Sequence, residues 1–286
     1  MMDNKIYICL ANGDIFEGKS FGAKGEVTGE LVFTTGMGGY IETLTDPSYF
    51  GQIVMQTFPL IGNYGFIDDD MECEKSAVKA YIVREYCDAP SNFRCGKTLE
   101  QYLTENNIVG VYDVDTREIT KKIREVGTLK AVMSDTIDNK DDIVKMLKET
   151  PYMNDHVKRV STKNAFPIPN RGKKVVLIDF GAKLGIIREL SKRDCDLVVV
   201  PYDTDYKTIM SLNPDGIMLS NGPGDPKDVK ESINTIRELI GKVPIFGICL
   251  GHQLISLACG ANTIKLKFGH RGGNHPVKDL ETSKGA

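Results

Sequence analysis

The sequence lacks long hydrophobic runs, which bears on where the protein can function. No apolar stretch approaches the roughly 18 residues needed to span a bilayer. The longest apolar runs, Val175–Ile178 and Leu197–Val200, have the length of buried strands. The first residues, Met1–Ile6, contain an early acidic residue and no apolar stretch of signal-peptide length. We therefore expect a soluble, cytoplasmic protein that does not bind a membrane.

The sequence also lacks a surplus of basic residues. Its 36 lysines and arginines are opposed by 39 acidic residues, which gives a net charge of −3. A nucleic-acid-binding protein needs a basic surface, so we expect no nucleic-acid partner. By contrast, 286 residues of which 41% are hydrophobic can form two domains with sizeable cores.

Histidine is scarce, and the cysteines are scattered. The four histidines and seven cysteines form no Cys-x-x-Cys pair and no His–Cys ligand pair, so we predict no metal site. We expect most of the cysteines to be reduced and to pack as small apolar residues. The seven are Cys9, Cys73, Cys87, Cys95, Cys195, Cys249 and Cys259.

The hydrophobic pattern divides the chain into two α/β parts. Residues 1–152 are predicted to form a β-rich α/β domain, with one helix capped by Asp115 and ended by Gly127. Residues 153–172 have no periodicity and are interpreted as an inter-domain linker. In residues 173–286, buried apolar strands alternate with helices, which predicts a doubly wound parallel sheet.

Two short patterns resemble functional motifs but have the wrong context. Gly13–Ser20 matches the phosphate-loop pattern, yet Asn12-Gly13 follows the predicted strand Ile6–Leu10 and indicates a hairpin turn. A phosphate loop must instead begin a helix. Asp179-Phe180-Gly181 matches a kinase triplet without a preceding His-Arg-Asp loop, and we interpret it as a strand end and a turn.

One cysteine stands in a pattern that predicts catalysis. Gly247–Gly251 reads G-x-C-x-G between a predicted strand and a predicted helix, which is the pattern of a nucleophile elbow with Cys249 as the nucleophile. A helix N-terminus favours the thiolate, and the amide of Leu250 is placed to donate to an oxyanion. Gln253 lies on the same helix face. The alternative is that Cys249 is another buried small residue, as we expect for Cys259.

A glycine-rich loop is predicted to lie beside this cysteine. Ser220–Pro226 contains two glycines, Gly222 and Gly224, and follows another strand of the same sheet. Loops at the carboxyl ends of parallel strands meet at one edge, so this loop and Cys249 are expected to be neighbours. Its glycines permit close backbone approach and a further oxyanion amide, although a purely structural turn is the alternative.

The motifs around Cys249 and the glycine loop resemble those of a known family. Phe246–Gln253 and Leu219–Pro226 resemble the class I, triad-type glutamine amidotransferase domain. Five further segments resemble the small subunit of carbamoyl-phosphate synthase, including its N-terminal domain. They are Gly39–Tyr49, Ile61–Gly65, Asp113–Arg117, Phe180–Lys183 and Lys267–Pro276. The resemblance covers essentially the whole chain.

The resemblance implies an activity. Cys249 attacks the side-chain amide carbon of glutamine, ammonia leaves, and water cleaves the remaining thioester. The ammonia passes to the large subunit, which is expected to bind ATP and magnesium and to make carbamoyl phosphate for arginine and pyrimidine biosynthesis. This chain itself is expected to hold no cofactor. The resemblance assigns glutamine-binding roles to Ser48, Gly222, Gly224, Leu250 and Gln253.

The sequence departs from the family pattern after the cysteine. The family completes its triad with a downstream His-x-Glu, but His252, His270 and His275 are followed two residues later by Leu254, Gly272 and Val277. We therefore expect a C-terminally truncated subunit, with an incomplete amidotransferase domain and impaired turnover.

Three other functions stay open. One is the glutaminase of another amidotransferase, such as those of guanylate or anthranilate synthesis. The second is a non-catalytic subunit that docks on a synthetase, and the third is a cysteine hydrolase of the elbow type.

Overall fold

In a computed structural model, residues 4–269, 271, 276 and 278–285 are described. The strands are β1 (Lys5–Leu10), β2 (Ile15–Gly22), β3 (Val27–Thr34), β4 (Gln52–Gln56), β5 (Leu60–Ile61), β6 (Ala80–Ile82), β7 (Glu85–Tyr86), β8 (Val109–Tyr112), β9 (Leu129–Ser134), β10 (Phe166–Ile168), β11 (Lys174–Asp179), β12 (Asp196–Pro201), β13 (Gly216–Leu219) and β14 (Ile245–Gly247). The helices are α1 (Tyr40–Thr45), α2 (Leu99–Glu105), α3 (Thr116–Val126), α4 (Lys140–Glu149), α5 (His156–Val160), α6 (Leu184–Ser191), α7 (Tyr206–Ser211), α8 (Lys230–Leu239) and α9 (Leu250–Ala258). In these described ranges, none of the helices combines the length and the apolar character needed to cross a bilayer.

The first domain is a closed seven-stranded barrel. Its strand order is β1-β2-β8-β6-β4-β3-β9, in which β8, β6, β4 and β3 run parallel to one another and the other pairs are antiparallel. Alternate strand residues such as Ile8, Leu31 and Ile53 are fully buried in one apolar cluster. Residues of the opposite face, such as Val54, pack with α1 and α2 in a second cluster. The β-rich α/β prediction for this domain is confirmed.

The hairpin and the capped helix form as the sequence predicts. β1 pairs antiparallel with β2, with Gly13 in the turn at a φ of 91°. The phosphate-loop pattern therefore lies in a hairpin and begins no helix. Asp115 accepts a hydrogen bond from the amide of Glu118 at 2.9 Å, and Gly127 follows the last residue of α3 at a φ of 98°.

The second domain contains a five-stranded sheet of order β10-β12-β11-β13-β14, in which β11 to β14 are parallel. Helix α6 packs with one apolar cluster on one face, through Ile186 and Leu190. Helices α8 and α9 pack with another cluster, through Ile236 and Leu254. The sheet is therefore doubly wound, as predicted. Because the strand order reverses between β11 and β13, the loops after these strands border a crevice, where ligands bind in such folds.

The segment predicted to be a linker contains regular structure. Within residues 153–172 the chain forms helix α5 and strand β10, and β10 pairs antiparallel with β12, Phe166 opposite Val199. The segment predicted to be an inter-domain linker therefore contains regular structure that its lack of periodicity did not indicate. Pro167 obscured the strand in the sequence, but β10 lies at the sheet edge, where a proline is tolerated because one side of the strand needs no amide.

The segment after α9 returns to the barrel. Lys265 forms an ion pair with Glu30 at 2.8 Å, and the amide of Thr128 donates to the carbonyl of Lys267 at 3.0 Å. The Phe268 ring stacks on that of Phe33, with 5.9 Å between the ring centroids. Burial alone raises the pKa of Glu30, but hydrogen bonds led by the one from Lys265 outweigh it, so the pKa is lowered and the carboxylate is charged.

The barrel core generates a prediction about stability. Ile8 is fully buried, whereas Ile15, in the partner strand of the same hairpin, is 41% exposed. Ile8→Ala should lower the free energy of unfolding of the barrel by about 2–5 kcal/mol, because it leaves a cavity that the barrel cannot close. Ile15→Ala is the matched control and should cost less than about 1 kcal/mol. Urea denaturation measures both, and equal losses would contradict this account of the core.

Candidate active site

Cys249 lies on a strained turn between β14 and α9. Its φ of 53° and ψ of −106° are a backbone conformation that residues other than glycine rarely adopt. A Cβ atom on Gly247 would lie 2.6 Å from the carbonyl carbon of Gly251, and one on Gly251 would lie 2.5 Å from the carbonyl oxygen of Leu219. Neither glycine can carry a side chain without movement of the backbone. The turn therefore has the geometry of a nucleophile elbow.

The thiol of Cys249 is more basic than an ordinary thiol. Desolvation of the sulfur is the main cause and raises its pKa, although the residue as a whole is exposed, and the nearby carboxylate of Asp46 raises the pKa further. The amide of Leu250 and the ammonium of Lys183 lower it, but by less. The Leu250 amide at the helix N-terminus thus acts in the expected direction, but the net shift of the pKa is upward.

The glycine loop after β13 lies directly against the elbow. The amide of Gly251 donates to the carbonyl of Ser220 at 3.1 Å. A Cβ atom on Gly222 would clash with the carbonyl oxygen of Phe180 and would lie 2.7 Å from Leu250 Cδ2. Gly224 has a φ of 87° and packs against the ring of His156. The loop is therefore close-packed on several sides, which only glycine permits at these two positions.

Hydrogen bonds connect Ser48 of the barrel domain to this loop. Ser48 lies in a 3₁₀ turn, Pro47–Tyr49, that is capped by Asp46, whose carboxylate accepts from the Ser48 amide at 2.8 Å. Asn221 Nδ2 donates to Ser48 Oγ at 2.9 Å, and Asn221 Oδ1 accepts from the Lys183 amide at 3.0 Å. The turn that carries Ser48 and the loop after β13 are thus fixed to each other across the domain boundary.

An ion pair with a buried carboxylate lies beside this connection. Lys183 Nζ is 2.9 Å from Asp46 Oδ2, and the Asp46 side chain is only 10% exposed. Burial alone would lower the pKa of Lys183, but the charge and hydrogen bond of Asp46 outweigh it, and the pKa is raised. Both members influence the pKa of Cys249, so the pair sets part of the electrostatic field at the sulfur.

The structure brings together most of the site residues predicted from the sequence. Gly222, Leu250 and Cys249 are neighbours, and Ser48 joins them through Asn221. Gln253 lies one helical turn after Cys249, with its amide bonded to the Cys249 carbonyl, and is exposed. Among the described residues, no group of three or more His, Cys, Asp or Glu side chains is arranged to hold a metal ion.

Sequence reasoning did not single out three residues at this boundary. They are Asp46, Lys183 and Asn221, all of which lie inside the family segments but carry no chemical signal of their own. Asp179-Phe180-Gly181 is a strand end and a turn, as predicted, since Asp179 accepts from the amide of Gly181 at 2.8 Å. His270 and His275, with Gly272 and Val277, lie outside the described residues.

The packing of the elbow predicts which glycine is indispensable. Gly251→Ala should lower the free energy of unfolding by about 1–3 kcal/mol, because its Cβ atom enters the space of the Leu219 carbonyl. Gly216→Ala is the control, since the nearest atom to its Cβ would be 3.7 Å away. Thermal or urea denaturation compares the two variants. Equal losses of unfolding free energy would show that the elbow can accommodate a Cβ atom at residue 251.

The basicity of the thiol predicts a pH dependence. The thiolate is the form that reacts with iodoacetamide. Since the pKa of Cys249 is raised above 9.0, its alkylation rate should still be rising as pH passes 9.0. Mass spectrometry of the Cys249 peptide over a pH series measures this, with Cys249→Ser as the blank. A rate that levels off near neutral pH would mean that the thiolate is stabilised after all.

Two family models match the chain in separate regions. The model described as carbamoyl-phosphate synthase small chain, CPSase domain, matches residues 8–133. The model described as glutamine amidotransferase class-I matches residues 176–285. The first region comprises the barrel strands, and the second contains the elbow and the glycine loop. The resemblance inferred from the motifs is therefore confirmed for both halves.

Individual relatives match over nearly the whole chain. The chain is 58% identical to the carbamoyl phosphate synthase small chain of Bacillus cereus (strain ATCC 10987 / NRS 248), over 98% of this chain and 76% of the relative. It is 54% identical to the carbamoyl phosphate synthase pyrimidine-specific small chain of Bacillus subtilis (strain 168), over 97% of this chain and 76% of the relative. The Bacillus caldolyticus small chain is also 54% identical, over 98% and 77%. The chain belongs to the carbamoyl phosphate synthase small chain family.

Proposed function

We propose that this chain is the glutaminase subunit of a carbamoyl phosphate synthase and that Cys249 is its nucleophile. The observation that carries the proposal is the elbow, where Cys249 is held at a φ of 53° between two glycines that have no room for a side chain. A strained turn of this kind exposes a nucleophile at the edge of a parallel sheet. The membership of the amidotransferase family supports the same role.

The reaction follows from the chemistry of the thiol. The sulfur attacks the side-chain amide carbon of glutamine, and the amide nitrogen leaves as ammonia after taking up the proton of the thiol. A glutamyl thioester remains, and water hydrolyses it to glutamate and free thiol. The amide of Leu250, which already interacts with the sulfur, is placed to donate to the oxyanion formed in each step.

Residues from both domains are proposed to bind the substrate. Gly222 packs against Leu250 at the elbow, Gly224 lies two residues further along the same loop, and Gln253 lies one turn along α9 from Cys249. Ser48 contributes from the barrel domain through the turn that Asn221 holds at 2.9 Å. Glutamine therefore binds where the two domains meet, and its binding depends on their relative position.

A large synthetase chain is the proposed partner. The relatives are named as small chains of a synthase, which implies a larger partner chain. We propose that the ammonia is delivered to that chain, which binds ATP and magnesium and forms carbamoyl phosphate for arginine and pyrimidine biosynthesis. Direct delivery keeps the ammonia unprotonated, and protonation in water would remove its nucleophilicity.

We also propose that the 286-residue chain turns glutamine over slowly. No His-x-Glu follows Cys249 in its sequence. Desolvation of the sulfur and the charge of Asp46 raise the pKa of the thiol above its ordinary value, so the reaction needs a base to form the thiolate at neutral pH. Members of a catalytic triad act as a unit, and loss of the base removes most of the turnover.

Glutamate release tests the proposed function. The chain, its Cys249→Ser variant and a family member that carries His-x-Glu are compared, each with and without the large chain. Cys259→Ser is the matched control, because it removes a thiol from the end of the same helix. We expect the family member to release glutamate at least about 10³-fold faster than this chain, and Cys249→Ser to abolish release.

Three other results would change the assignment. Turnover by this chain at the rate of the family member would contradict the proposed lack of a base. Release that survives Cys249→Ser would exclude the thioester mechanism. No release from either protein with the large chain present would favour the docking-subunit interpretation.

A further inference from the structure

Glu72 lies at the boundary between the two domains, where it is bonded to Thr45 on one side and to Leu184 and Gly185 on the other. It belongs to an irregular segment that follows the 3₁₀ turn Asp68–Asp70. Its amide, carbonyl and carboxylate each take part in a hydrogen bond, and the two acceptor groups bond to the second domain. One residue of the barrel domain therefore contacts both the helix that leads to Ser48 and the helix that begins after Lys183.

On the barrel side, Glu72 is bonded to the helix that leads to Ser48. The Glu72 amide donates to the hydroxyl of Thr45 at 2.9 Å, and that hydroxyl donates to the carbonyl of Ile41 at 2.7 Å. Thr45 is the last residue of α1, and Asp46 follows it as the cap of the turn that carries Ser48. The position of Glu72 is thereby linked to that of Ser48 through the consecutive residues Thr45, Asp46 and Pro47.

On the other side, Glu72 completes the N-terminus of α6. Its carbonyl accepts from the amide of Leu184, and its carboxylate accepts from the amide of Gly185, both at 2.8 Å. The first amides of a helix have no partner within the helix, and a carboxylate there also interacts favourably with the helix dipole. A Cβ atom on Gly185 would lie 3.0 Å from Glu72 Oε2, so the absence of a side chain at this position permits the close approach.

The residue just before helix α6 belongs to the hydrogen-bond network beside the proposed site. Lys183, which precedes its first residue, donates its amide to Asn221 and pairs its ammonium with Asp46. One turn into the helix, Arg188 Nη1 donates to the carbonyls of Asp69 and Met71 at 3.2 and 3.3 Å. Residues 69–72 thus hold the first two turns of α6 in a fixed position against the barrel.

We propose that Glu72 is a positioning residue that sets the separation between Ser48 and Cys249. The inference rests on the proposed function, because glutamine must contact both residues at once. The Glu72 carboxylate has no direct role in the chemistry. It fixes the start of α6, and α6 in turn fixes Lys183, Asn221 and the glycine loop. A small displacement of Ser48 or Cys249 should strongly lower the rate at which the sulfur attacks bound glutamine.

The test compares two alkylating reagents that make different demands on the site. A chloroketone analogue of glutamine must be held by both domains before the Cys249 sulfur displaces its chloride. Iodoacetamide needs only the sulfur. Neither reaction needs a general base for a departing amine, so both report on the chain whether or not it turns over glutamine. Glu72→Ala removes the acceptor, Glu72→Gln retains an acceptor oxygen, and Glu74→Ala is the control because Glu74 is exposed two residues away.

For Glu72→Ala we expect the second-order rate of chloroketone labelling to fall by about tenfold or more, while the iodoacetamide rate stays within about twofold. Glu72→Gln should stay within about threefold of the unmodified protein with both reagents, since its amide oxygen can accept from Gly185. Glu74→Ala should change neither rate. Equal chloroketone rates in Glu72→Ala and the unmodified protein would overturn the proposal, as would an equal loss with both reagents.

Amide hydrogen exchange separates this inference from the proposed function. In Glu72→Ala, peptides that cover residues 40–50 and 180–190 should exchange faster than in Glu74→Ala, whether or not glutamine is the substrate. Unchanged exchange in both peptides would overturn the positioning role. If the unmodified protein shows no preference for the chloroketone and glutamine does not protect it, the proposed function fails, and the exchange result alone then decides whether Glu72 couples the domains.

Discussion

The ion pair between Lys183 and the buried carboxylate of Asp46 is the interaction on which the arrangement of the two domains depends. Among the described residues, each apolar cluster draws its buried members from one side of the boundary, and the contacts across it are made by polar groups together with the stack of Phe268 on Phe33. A carboxylate that is 10% exposed is costly unless it is paired and hydrogen-bonded. The Asp46 carboxylate is paired with the ammonium of Lys183 and accepts a hydrogen bond from the Ser48 amide. These two partners lie in different domains. The solvation of Asp46 therefore requires the domains to be in this relative position.

This requirement brings together residues that are far apart in the sequence. Asn221 reaches Ser48 across 173 positions, and Glu72 reaches Gly185 across 113. The same pair contributes opposing effects on the thiol of Cys249, with Asp46 raising its pKa and Lys183 lowering it. Structural support and electrostatic tuning of the proposed nucleophile are therefore properties of the same few groups at the boundary.

Local signals in the sequence predicted local structure well. Asn12-Gly13 predicted a hairpin and Asp115 a helix cap, because a turn or a cap is decided by residues within three or four positions of each other. Predictions failed where a distant contact decides the outcome. Pro167 obscured a strand that forms because it pairs with the edge of β12. The helix position of Cys249 indicated a lowered pKa, but desolvation and the charge of Asp46 together raise it.

The sequence by itself determined the elbow, the alternation of strands and helices and the family, since each is encoded in short segments or in regular periodicity. G-x-C-x-G permits the tight turn wherever the strand and the helix meet, because the two glycines remove the clashes with Leu219 and Gly251. Only the tertiary structure decided the pKa of Cys249 and the pairing of Asp46, Lys183 and Asn221. Solvation and charge at a domain boundary depend on distances between segments, and no short stretch of sequence contains those distances.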